Sequence, residues 1–189
     1  MPVTTTALLV MDVQQGVVDR YPETAAAVLD RIGAALATAR RAGLLVIFVR
    51  VAFRAGFPEV SPRNRSFSTL TASGGERFTG GGEGTQLHPS LAPRPDEPIV
   101  DKKRVSAFAG SDLEVLLRSA GVDHLVLTGI ATSGVVLSTV REAADRDYRL
   151  TVLADACADA DPEVHRVLTE KVFPRQADVA TVEAWAREL

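Results

Sequence analysis

The strongest constraint on this chain is a repeated change of rhythm. Short unbroken apolar runs alternate with longer stretches whose apolar residues recur at helical spacing. Ala7-Leu8-Leu9-Val10-Met11 is apolar at every position and ends in Asp12. A strand with that pattern is buried on both faces. Residues 25–42 carry Val28, Leu29, Ile32, Leu36 and Ala39 on one helical stripe, and Gly43 suits the left-handed cap. Leu44–Val51 reads as a second buried strand, Pro98–Asp101 as a short third and Leu113–Ala120 as a helix. His124–Thr128, the helix 133–146 and Leu150–Leu153 follow. Asp161-Pro162-Glu163 opens another helix, with Asp as the cap and Pro in the first turn. Ala177–Thr181 predicts a sixth strand, followed by a closing helix through Trp185. Strand and helix alternating in this way predict a parallel sheet covered on both faces, with right-handed crossovers. With 189 residues, one domain spanning 1–189 is expected.

In such folds ligands bind beyond the carboxyl ends of the strands. The residues to inspect are therefore Asp12 and Gln14, Arg50 to Arg54, Lys102 to Arg104, Gly129 to Val135, and Asp155 to Cys157. One segment, about 52–97, lacks a period, and six of the 14 glycines fall between Gly74 and Gly84. A loop of that length is expected to act as a lid, a binding loop or a docking arm, or to be a surface excursion.

Several classes are excluded. The 21 basic and 24 acidic residues give a net charge of −3, which argues against nucleic acid or an anionic membrane as partner. No apolar run approaches the roughly 20 residues of a membrane span. MPVTTT has no leader pattern, so a cytoplasmic location is expected. The single cysteine excludes an internal disulfide and multi-cysteine metal sites. Gly80-Gly81-Gly82-Glu83-Gly84 lacks the Lys-Ser/Thr of a phosphate loop, so no nucleotide is expected there. His88, His124 and His165 have no ligand spacing, so no metal is expected.

The turn Gly129-Ile130-Ala131-Thr132-Ser133-Gly134 joins a strand to a helix, and its N–H groups could hold an anion or a developing oxyanion. Asp12 must be paired if buried, and Lys102 also follows a strand. Cys157 has no basic sequence neighbour and is expected to pack rather than to react.

At these residues the chain resembles the isochorismatase-like hydrolase superfamily. The resemblance rests on the segments 7–14, Lys102-Lys103-Arg104-Val105-Ser106-Ala107-Phe108 and 127–136, and covers nearly the whole chain. It implies a three-layer α/β/α sandwich with a six-stranded parallel sheet in the order 3-2-1-4-5-6. It implies an Asp–Lys–Cys triad, with the aspartate at Asp12 and the lysine at Lys102, Lys103 being the second choice. The cysteine position is occupied by Val135, and a cis peptide is implied at Ile130–Ala131. A valine has no lone pair, so thioester chemistry is excluded there. Isochorismatases proper also lack the cysteine and use the aspartate as an acid on a vinyl ether.

The expectation is therefore a hydrolase of a vinyl ether or C–N bond, without covalent catalysis or cofactor. Asp12 and Lys102 would be catalytic. Gln14, Ala131, Val135 and Arg54 would bind an oxyanion or a small-molecule substrate, possibly a carboxylate. The nicotinamidase branch binds a metal after its second strand, but 51–58 carries no such ligand. Many relatives assemble, so a homo-oligomer, dimer or larger, is implied. The alternative is a silent member that binds a metabolite or a protein. Whether Asp12 and Lys102 meet in an open or a sealed pocket separates the two.

Overall fold

The computed structural model describes residues 5–189; the reading of MPVTTT falls mostly on residues 1–4, outside the described residues. β1 (Thr6–Met11) forms the middle of the sheet because its side chains serve two cores at once. Ala7, Leu9 and Met11 enter one cluster, Leu8 and Val10 the other. This period-two division of an all-apolar run is why β1 must have layers on both faces. α1 (Gln15–Val18) is a single turn, and α2 (Ala25–Arg41) buries Val28, Ile32, Ala35, Leu36 and Ala39 against the second cluster. β2 (Leu45–Val51) pairs in parallel with β1.

The segment expected to be a loop is more ordered than its composition indicates. It contains α3 (Arg65–Ala72), capped by Asn64, whose side chain accepts the Phe67 N–H, and three 3₁₀ turns. α3 is Ser- and Thr-rich and buries only Phe67, so no apolar stripe betrays it. Phe53, Phe67 and Phe78 gather into a third, smaller core.

β3 (Ile99–Lys102), α4 (Leu113–Ser119), β4 (His124–Ile130), α5 (Leu137–Ala144), β5 (Arg149–Ala158), α6 (Pro162–Val167), β6 (Asp178–Ala180) and α7 (Val182–Ala186) complete the chain. The sheet is parallel and ordered β3-β2-β1-β4-β5-β6, as the strand–helix alternation and the resemblance led us to expect. β5 runs well past Leu153. Leu127 pairs with Val152 but Gly129 with Cys157, so the strand bulges and continues through Cys157. The polar Asp155 interrupts the apolar run without ending the strand, because its Oδ1 accepts the Val182 N–H at 2.8 Å. No helix is long and apolar enough to cross a membrane among the described residues.

Gly129 fixes how closely β4 approaches β1. Its φ is +141°, and a Cβ there would lie 2.1 Å from the Met11 carbonyl oxygen. Only glycine fits that contact and that backbone region. We expect Gly129→Ala to lose about 2–4 kcal/mol in urea unfolding, because β1 and β4 must separate at the site end of the sheet. A loss below about 0.5 kcal/mol would show that the strand ends move freely.

Candidate active site

The carboxyl ends of β1, β3 and β4 converge on one buried ion pair. Asp12 follows β1 with φ +56°, a left-handed conformation that aspartate tolerates better than most residues. Its N–H donates to Val49 O at 2.7 Å, the last ladder bond between β1 and β2, and the left-handed φ then turns the chain out of the sheet. Lys102, the last residue of β3, reaches over the end of β2 to place Nζ 2.9 Å from Asp12 Oδ2. Asp12 is 7% exposed and Lys102 2%.

An ammonium has three N–H groups, and this one uses all of them. Besides Asp12, Lys102 donates to Arg104 O at 2.9 Å and Val105 O at 3.0 Å. The loop that supplies these carbonyls is tied to α5, since the Ala107 N–H donates to Thr139 Oγ1. The Asp12 carboxyl is used unevenly. Oδ2 is anchored, whereas Oδ1 is enclosed and has no hydrogen-bond partner. Burial pushes the Asp12 pKa above the ordinary carboxylate value, against the opposing pull of Lys102.

Gln14 is fully buried and belongs to the frame. Its Nε2 donates to Val51 O and Gly84 O, and its Oε1 accepts the Val51 N–H. That uses both donors and the acceptor, so the amide staples the 52–97 segment onto β1 rather than facing a ligand. This segment therefore closes over its own chain.

Arg54 is placed differently from the substrate clamp expected of it. Its side chain is 74% exposed and pairs with Glu59 at 2.6 Å. It lines surface clefts with Asp101 and Lys103, beside the edge strand β3. Within the 52–65 stretch Arg54 and the one acid, Glu59, pair with each other, which sequence spacing did not reveal. Lys103 shares that surface, and Lys102 alone meets Asp12.

Beyond β4 the Ile130–Ala131 peptide is cis. A π-helical turn, Thr132–Val136, leads directly into α5. Ala131 O accepts the N–H groups of Gly134 and Val136. Val135 is 2% exposed and packs in the same cluster as Met11 and Cys157. Two residues that sequence reasoning left aside grip this turn. Asp159 Oδ2 accepts the Ser133 N–H at 2.6 Å, and His165 Nδ1 lies 2.8 Å from Thr132 Oγ1. Their only sequence signal was position, just beyond a strand and inside the next helix.

Cys157 is buried, and burial pushes its thiol up to about 12, so it is protonated at neutral pH. Among the described residues no three His, Cys, Asp or Glu side chains gather to hold a metal.

A buried Asp–Lys pair at the carboxyl edge of a 3-2-1-4-5-6 sheet, beside a strand-to-helix turn, defines a class before any comparison is made. The isochorismatase domain model matches residues 6–184, and the chain belongs to that family. It is 35% identical over 182 residues to the isochorismatase family protein YecD of Escherichia coli O157:H7, covering 95% of this chain and 93% of that one. It is 33% identical over 204 residues to the ureidoacrylate amidohydrolase RutB of Stutzerimonas stutzeri (strain A1501), covering 98% and 79%. The structure of N-carbamoylsarcosine amidase from Thermoplasma acidophilum superimposes with a TM-score of 0.77 at 26% identity, over 95% of this chain and 98% of that one. Two of these three relatives are hydrolases by name.

The pair makes a stability prediction. The Asp12 pKa is raised in the fold, so its contribution to stability is present below the ordinary carboxylate value and is lost as pH rises through the raised value. Lys102→Met removes the only opposing charge and widens that window. We expect the variant to lose about 3–5 kcal/mol near pH 7, with the deficit shrinking toward about pH 4 as Asp12 is protonated in both states. Urea unfolding at several pH values measures this; a deficit independent of pH would mean that the pair is not ionised.

Proposed function

We propose that the chain is a small-molecule hydrolase that works by acid–base chemistry at Asp12, without a covalent cysteine intermediate. The unevenness of the Asp12 carboxyl carries the reading. One oxygen is held by Lys102, the other is enclosed and unclaimed, and burial favours the protonated form. A carboxyl so placed rests as the anion of the ion pair, and with its proton affinity raised by burial it can take up a proton on Oδ1 and deliver it.

On a vinyl ether, Asp12 would protonate the terminal alkene carbon. Water would then add to the oxocarbenium carbon while the carboxylate takes its proton, and the hemiketal would split into a ketone and an alcohol. On a C–N bond, the carboxylate would take a proton from the water that adds to the carbonyl and return it to the departing nitrogen. The N–H groups of Ala131 and Val135 would face the oxygen that gains charge. Lys102 would hold Asp12 in place and offset its charge. Val135 is assigned the position that the cysteine hydrolases of the family use for their nucleophile.

The enclosure of Asp12, Lys102 and Val135 favours a second reading, a catalytically silent member that binds a metabolite or a protein partner. A hydrolysis screen over isochorismate, small amides and carbamoyl compounds separates the two. The hydrolase reading expects turnover in one class and a loss of about 100-fold or more in Asp12→Ala. Activity carried by Cys157 would instead vanish in Cys157→Ala, which we expect to be fully active. Absence of turnover in every class, with a raised unfolding temperature on ligand addition, supports the silent reading.

A further inference from the structure

The two edges of the sheet are unlike. β6, at one end, is three residues long, and its Val179 and Ala180 are half-buried. β3, at the other end, has β2 as its only strand neighbour. Pro98 O and Lys102 O accept the N–H groups of Phe48 and Ala52 on the β2 side. Successive residues of a strand turn their N–H and C=O groups to opposite sides. Those of Ile99 and Asp101 therefore point away from β2, and an open edge of this kind can receive another strand.

Apolar side chains gather beside this edge. Four large apolar side chains are exposed among the described residues. Two of them, Ile99 at 44% and Val115 at 69%, line one cleft of about 610 Å³. Ile99 belongs to β3 and Val115 to α4. Exposed apolar side chains need no explanation when they are scattered singly. Two on one cleft, beside unpaired backbone groups, mark a surface that gains by being covered.

The charges of the same cleft indicate what covers it. Its charged walls are Arg54, Lys103, Asp101 and Asp112, two bases and two acids. Arg50 and Glu59, which pair with Asp101 and Arg54, add one charge of each sign and keep the balance. A strongly acidic or strongly basic partner finds no complement on such a face. A second copy does, because a two-fold rotation can set the acids of one chain opposite the bases of the other while the apolar side chains meet.

We infer that two copies of this chain associate through β3. The two β3 strands run antiparallel about a two-fold axis, and Ile99 and Val115 of each copy are covered by the other. The sheet then continues from one copy into the next, and β3 becomes an internal strand. Arg54, expected in sequence to clamp a substrate, is instead a charged contact of this interface. Lys102 ends the same strand, so association also secures the strand that carries the cation of the buried pair. None of this depends on turnover.

Sedimentation velocity over a range of protein concentrations tests the inference. We expect the native chain to dimerise, and Val115→Glu to weaken the dimer by about ten-fold or more with an unchanged circular dichroism spectrum, since this side chain is exposed. Ile99→Lys is a second variant with the same outcome expected. Asp178→Lys, on the β6 edge, should leave the dimer intact. Cross-linking reads the placement directly. Ile99→Cys in a Cys157→Ala background should be joined into a covalent dimer by a short bis-maleimide, each thiol adding to one maleimide double bond, whereas Asp178→Cys in the same background should not. A larger assembly that Val115→Glu or Ile99→Lys divides would support the interface equally. A chain that stays monomeric up to about 100 μM would overturn it. So would an assembly that Val115→Glu and Ile99→Lys both leave intact, or cross-linking through position 178 and not through 99.

Discussion

The ion pair between Asp12 and Lys102 is the contact on which the site end of this fold depends. β1 and β3 are not neighbours in the sheet, so the lysine side chain spans the end of β2 to make it. Burying both charges is costly, and their attraction offsets that cost only when geometry and hydrogen bonding are good. The two backbone carbonyls on Lys102 supply part of that. Asp12 is served less well, with one oxygen unclaimed. The structure therefore holds the cation firmly and leaves the acid poorly satisfied. The proposed proton transfer draws on that asymmetry, since the under-solvated partner is the one whose proton affinity is raised.

Around this pair the rest of the edge is built by close approach. Gly129 lets β4 come against Met11, which brings the turn at Ile130 to Val136 beside Asp12. Gln14 pulls the irregular segment down through Val51 and Gly84. Gly16 allows that segment to seat, because a Cβ there would meet Phe78 and Gly84 at under 3 Å. From the β5 side, Asp159 and His165 hold the turn in place. The burial of the Asp12 carboxyl at this edge raises the proton affinity that the proposed chemistry uses.

Much of the sheet was legible because burial on both faces leaves a direct trace in sequence. β1 and β2 are unbroken apolar runs, and their residues divide alternately between the two cores. Asp12 and Lys102 were legible for a related reason, since a charged residue that ends such a run must find a partner. The rest lay in contacts that spacing does not encode. α3 has no apolar stripe. The end of β5 was hidden by Asp155, whose carboxylate is satisfied from the following strand–helix junction. Arg54 looked free because Glu59 is only one acid among three arginines in its stretch, yet the two side chains meet. Gln14 looked available because its backbone partners, Val51 and Gly84, are distant in sequence.

The valine at position 135 acquires a physical role from this enclosure. A nucleophilic thiol works as a thiolate, and a thiolate needs positive charge nearby and some exposure to its substrate. Here Lys102 is saturated, Asp159 already receives an N–H of the turn, and the cluster holding Met11, Val135 and Cys157 is apolar. The buried Cys157 shows what this interior does to sulfur, since its thiol is pushed up to about 12. The same surroundings act on a carboxyl in the opposite functional sense. They raise its pKa and so convert a weak proton donor into one that can act nearer neutral pH. An apolar side chain at 135 fits that second use and not the first. On the proposed reading, a valine at 135 and the desolvation of Asp12 are two consequences of one environment, which raises the proton affinity of the acid and does not sustain a charged nucleophile.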